Sequence, residues 1–109
     1  MLSPFQGRIT MPYVSGFLAA VPEANKNAYV AFASRAWRLF EAAGALQMWE
    51  CWGDAVPDGD VTSFPMAVQK KDDETVVFSW VLWPDKATAD AAFAAMETDP
   101  AWESMGEMP

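Results

Sequence analysis

Histidine is absent from this 109-residue chain and cysteine occurs once, at Cys51. These two shortages exclude an intrachain disulfide, a Cys/His zinc cluster, a histidine-ligated haem and any triad built on an imidazole. Nor is there a glycine-rich phosphate loop, so no transition metal, haem, flavin or other cofactor is expected. Any chemistry must come from carboxylates, tyrosine, lysine, arginine or the single thiol. Cys51 stands in the apolar run between Trp49 and Trp52. A small buried thiol is the ordinary reading there, since a nucleophile needs an electropositive, accessible setting.

Basic residues are scarce as well. Seven Lys and Arg face fifteen Asp and Glu, a formal charge of −8, so the field repels phosphate backbones and nucleic-acid binding is not expected. The one adjacent pair of cations, Lys70 and Lys71, runs straight into Asp72, Asp73 and Glu74, the mixed pattern of a solvated turn. Long hydrophobic stretches are missing too: the run 75–83 is far short of the roughly 20 residues that span a bilayer. The N-terminus has no signal-peptide core, so a cytoplasmic protein without a membrane partner is expected. What the chain does have is apolar mass, 52% hydrophobic against 20% charged residues, enough to offset chain entropy. Its length suits one domain, 1–109, able to bury somewhat over about 60% of the unfolded surface.

Along the chain, the partly alternating segment 13–21 reads as a first strand stopped by Pro22, with a helix entered through Pro22 and Glu23. Tyr29, Phe32, Ala33, Ala36, Phe40 and Ala43 recur at helical spacing and form one packing stripe, and Gly44 is the expected terminator. Segment 46–52 reads as a second strand, followed by the Pro57-Asp58-Gly59 turn signal. Segments 64–70 and 75–83 read as a hairpin around residues 71–74, with Pro65 placing the start of the first on an edge. Asp85 is a suitable N-cap for a helix carrying Ala89, Ala92, Phe93 and Met96 on one face, and Pro100 marks its exit. The order β-α-β-β-β-α predicts an α+β fold, a largely antiparallel sheet with two helices on one face.

Parity sorts the strand residues between faces. Within 75–83, Val76, Phe78, Trp80 and Leu82 fall on one side and Val77, Ser79, Val81 and Trp83 on the other. Both rows are mostly apolar, yet large apolar patches are rare on soluble monomers. A homodimer formed through the sheet face is the expected cover.

The runs Tyr13-Val14-Ser15-Gly16-Phe17 with Val21-Pro22, Glu50-Cys51-Trp52-Gly53-Asp54 through Val56-Pro57-Asp58-Gly59, Val61-Thr62-Ser63-Phe64 and Glu74-Thr75-Val76-Val77-Phe78-Ser79-Trp80 resemble the YbaA-like family of uncharacterised small bacterial proteins. The resemblance covers about residues 11–109. It implies a ferredoxin-like dimeric α/β barrel, two sheets packed face to face about a two-fold axis, and carries no catalytic residues over. Proteins of this family continue past the equivalent of Met108-Pro109 into a final strand, whereas residues 1–10 precede the usual start near Met11. The extension is expected to take the place of that strand.

Six tryptophans, at 37, 49, 52, 80, 83 and 102, suit either core and dimer interface or an aromatic pocket for a small apolar ligand between sheet and helices. Glu50 is the most informative acid, because Leu46, Met48, Glu50 and Trp52 share a face. A carboxylate in apolar surroundings gains proton affinity, which general acid or base work near neutral pH requires. The alternative is an ion pair with a helix arginine such as Arg35 or Arg38, or an interface hydrogen bond. Asp54, Asp58 and Asp60 read as surface turn acids, out of register for a calcium loop. Tyr13, Trp49, Glu50, Trp52 and Trp80 are the candidate ligand-binding residues, with Glu50 the candidate catalytic one. Three classes stay open: a ligand-binding module, a cofactor-independent oxygenase or isomerase, which the barrel resemblance permits, and a purely structural dimer.

Overall fold

The computed structural model describes residues 12–109. Strand β1 (Tyr13–Pro22) leads through a single 3-10 turn (Glu23–Asn25) into helix α1 (Lys26–Ala42). Strand β2 (Gln47–Trp52), a one-turn helix α2 (Phe64–Ala67), strand β3 (Glu74–Trp83), helix α3 (Lys86–Met96) and a one-turn helix α4 (Pro100–Glu103) follow. The three strands form an antiparallel sheet in the order β1-β3-β2, with Tyr13 opposite Trp83 and Glu50 opposite Ser79. The fold is α+β, and among the described residues no helix is long and apolar enough to cross a membrane. The expected strand replacement by residues 1–10 lies outside the described residues.

Segment 64–70 is not a strand, which corrects the expected hairpin. The Ser63 hydroxyl accepts the Met66 amide at 3.2 Å and Pro65 sits in the first turn. That is the arrangement in which a missing proline N–H costs nothing, whereas in a ladder it would remove a bond. Gln69 then takes a left-handed conformation at φ 51° and ends the turn. Strand β3 therefore pairs with β1 on one side and β2 on the other.

The stripe on α1 packs as its spacing requires: Tyr29, Ala33, Ala36 and Phe40 are buried. Gly44 terminates the helix at φ 109°, and a Cβ there would stand 2.7 Å from Thr88 Cγ2. Asp85 caps α3, its Oδ1 accepting the Thr88 amide at 2.8 Å, and Ala89 and Ala92 are buried. Both helices cover the odd-numbered row of β3, where Thr75, Val77, Ser79, Val81 and Trp83 are all buried. Trp83 is fully enclosed, edge-on to Phe40 and Phe93, with its indole N–H donating to Ser15 Oγ at 3.2 Å.

The other face is only partly covered. Val56 and Pro65 from the segment after β2 lie beside Val76, and Phe64 of α2 stacks on Phe78 at 5.5 Å. Beyond them Val14, Trp49 and Phe78 stay exposed, and a side chain added at Gly16 would meet open space. Cys51, expected to be buried, is exposed on this face opposite Phe78, because no second layer lies over β2 among the described residues.

Candidate functional site

The register brings Phe17, Ser79 and Glu50 into one row across the sheet, on the helix-facing side. Tyr29 descends onto this row from α1, and its hydroxyl donates to Glu50 Oε1 at 2.7 Å. Ser79 lines the same cleft as both. Tyr29 is 7% exposed and Ser79 5%. Glu50, on an edge strand, is exposed over much of its surface, while its carboxylate end is turned into the protein toward Tyr29.

Burial raises the Glu50 carboxyl above its ordinary value, and the hydrogen bonds from Tyr29 and Ser79 oppose that shift. The Tyr29 hydroxyl is raised as well, first by burial, then by its bond to Glu50 and that carboxylate's charge. Glu50 is thus a base of increased proton affinity beside a phenol that holds its proton firmly, a pair able to accept and redistribute a proton from a bound group.

A cleft of about 200 Å³ opens under this pair, walled by Phe17, Phe32, Phe40, Met48, Trp102 and Met108. Glu50, Met48 and Ala33 also line a wider groove of about 730 Å³ between α1 and the edge of β2, alongside Val30, Trp37, Arg38, Leu46 and Trp49. The carboxylate therefore stands where the outer groove meets the inner cleft.

The five residues singled out from sequence do not converge. Glu50 lines the cleft, and Trp52 packs beside Tyr29 at 6.3 Å between ring centres. Trp49 and Trp80 stack on each other at 6.1 Å on the open face. Tyr13 lies at the start of β1 opposite Trp83, at the far end of the ladder from the Val21–Thr75 pair. Neither arginine proposed as a partner of Glu50 reaches it: Arg35 lies over the Phe32 ring at 5.9 Å, Arg38 lines the groove, and Tyr29 supplies the contact. Tyr29 was counted only as a packing residue in the stripe. Its signal was the hydroxyl, which a buried tyrosine must satisfy. Ser79 is likewise one of two small polar residues, with Thr75, in the inner row of β3.

Among the described residues, an antiparallel three-stranded sheet with helices over one face and an aromatic array only partly covered on the other defines a small α+β protein. The chain belongs to the family described as Protein of unknown function (DUF1428), whose model matches residues 12–109. It is 48% identical over 97 residues to the Uncharacterized protein YbaA of Escherichia coli (strain K12), covering 89% of this chain and 83% of that protein. Proteins of the same name from Escherichia coli O157:H7 and Shigella flexneri are similar to the same extent. The family suggested by the sequence motifs is the family found.

Proposed function

We propose that the chain is a homodimeric ligand-binding module, in which two copies pack their open sheet faces together in a ferredoxin-like dimeric barrel and each retains the cleft beneath Tyr29 and Glu50. The observation that carries this reading is the composition of the open face. Val14, Gly16, Leu18 and Ala20, then Val76, Phe78, Trp80 and Leu82, then Gln47, Trp49 and Cys51 occupy it by register, with Glu74 the one charged residue, at the end of the β3 row. A chain of net charge −8 meets a second copy at low electrostatic cost through a surface whose single carboxylate by register, Glu74, stands at the end of its row opposite Pro22, and stacked indoles are typical anchors of such interfaces. Light scattering after gel filtration tests it, read with the reactivity of Cys51 toward a thiol reagent. A dimer mass with a slowly reacting Cys51 is expected. A monomer whose thiol reacts at the rate of a free peptide would defeat the reading.

One observation favours a catalytic use of the same cleft, as a cofactor-independent oxygenase or isomerase: the raised proton affinity of Glu50 beside Tyr29. Oxygen uptake, or solvent deuterium exchange into an enolisable substrate, abolished by Glu50→Gln, would separate turnover from binding.

A further inference from the structure

We propose that the cleft takes a small organic cation, a primary amine carrying one ring on a short arm, with its ammonium on Glu50 and Tyr29 and its ring among the aromatic side chains. The inference rests on the reading of the cleft as a ligand site and names the class of ligand.

The polar groups at the cleft are acceptors. Tyr29 spends its proton on Glu50 Oε1, which leaves lone pairs on the phenol oxygen and further acceptor capacity on the carboxylate. Among the described residues no lysine or arginine lines the cleft and none forms an ion pair with Glu50. Of the cations of α1, Lys26 lies over the Trp52 ring at 5.5 Å, Arg35 over Phe32, and Arg38 lines the outer groove without an ion pair to Glu50. A carboxylate partly withdrawn from water without a counter-charge gains most from a ligand that brings one. An ammonium supplies both the charge and three donors, and flanking aromatic faces favour a cation further. An anionic ligand would be repelled here and by the acidic protein as a whole.

Size restricts the rest of the ligand. A cleft of about 200 Å³ compares with the roughly 150 Å³ apolar cavity that accommodates benzene, so one ring and a two-carbon arm fit. Entry is through the groove, because Glu50 lines both spaces.

Calorimetric titration with phenethylamine, phenethyl alcohol and phenylacetate tests the proposal, since the three share a ring and differ in charge. The amine is expected to bind about tenfold or more tighter than the alcohol, with phenylacetate weakest. Glu50→Gln, checked for folding by circular dichroism, should remove the amine's advantage over the alcohol. Equal binding of amine and alcohol, or an amine affinity untouched by Glu50→Gln, overturns the charge assignment while leaving the cleft as a ligand site. Failure of all three to bind overturns both.

Discussion

Trp49→Ala is the sharpest probe of the open sheet face. Trp49 is 55% exposed in the isolated chain, and a large aromatic side chain covers up to about 250 Å² when fully buried, so about 140 Å² remains for a partner. At about 25 cal/mol per Å² that surface is worth up to about 3 kcal/mol per protomer and about 6–7 for a symmetric pair. Side-chain ordering and imperfect fit consume part of it. Taking about half leaves about 3 kcal/mol, which raises the dimer dissociation constant about a hundredfold. Within one chain the variant loses mainly the stack on Trp80, a cost of about 1 kcal/mol, so the monomer stays folded. Sedimentation equilibrium over a range of concentrations reads the constant, circular dichroism the melt. Val61→Ala, at a loop residue 93% exposed, is the control and should change neither. An unaltered dissociation constant in Trp49→Ala, with wild type dimeric, would refute the placement of the interface on this face.

Three further outcomes are expected. Gly44→Ala should lose about 2 kcal/mol in urea denaturation, because φ 109° is unfavourable for an L side chain and the new methyl meets Thr88. Trp83→Phe should lose about 2 kcal/mol, from the hydrogen bond to Ser15 and the space left by the smaller ring. Glu50 has a folded-state pKa raised by burial, so its contribution to stability is present below its ordinary value of 4.5 and is lost as pH rises through the raised one. Glu50→Gln should accordingly melt above wild type at neutral pH, with the difference vanishing in acid; a constant difference across that range would show that Glu50 ionises without penalty.

Periodicity carried most of the architecture. The α1 stripe and the two rows of β3 were legible because helical and strand spacings are properties of a few adjacent residues. Segment 64–70 misled for the same reason: Phe64, Met66 and Val68 alternate as strand residues do, and only Ser63 and Pro65 reported the helical turn. In the site, the alternation around Glu50 pointed to the helix-facing side of β2. Its partners could not be read, because the contact of Tyr29 with Glu50 depends on where α1 crosses the sheet, and that of Ser79 on the β2–β3 register. Local pattern says which face a residue occupies, not what stands opposite.

The strand order governs how the chain can assemble. The two edge strands come first in the sequence, and the strand that joins them comes last. Until Trp83 has left the ribosome neither β1 nor β2 has a sheet partner among the described residues, and no hairpin can nucleate the ladder early. Each pairing closes a long loop before it returns any contact energy, the condition under which folding is slow. Meanwhile Phe17, Leu18, Trp49 and Trp52 wait unpaired in solvent, so the nascent chain passes through an interval of aggregation risk.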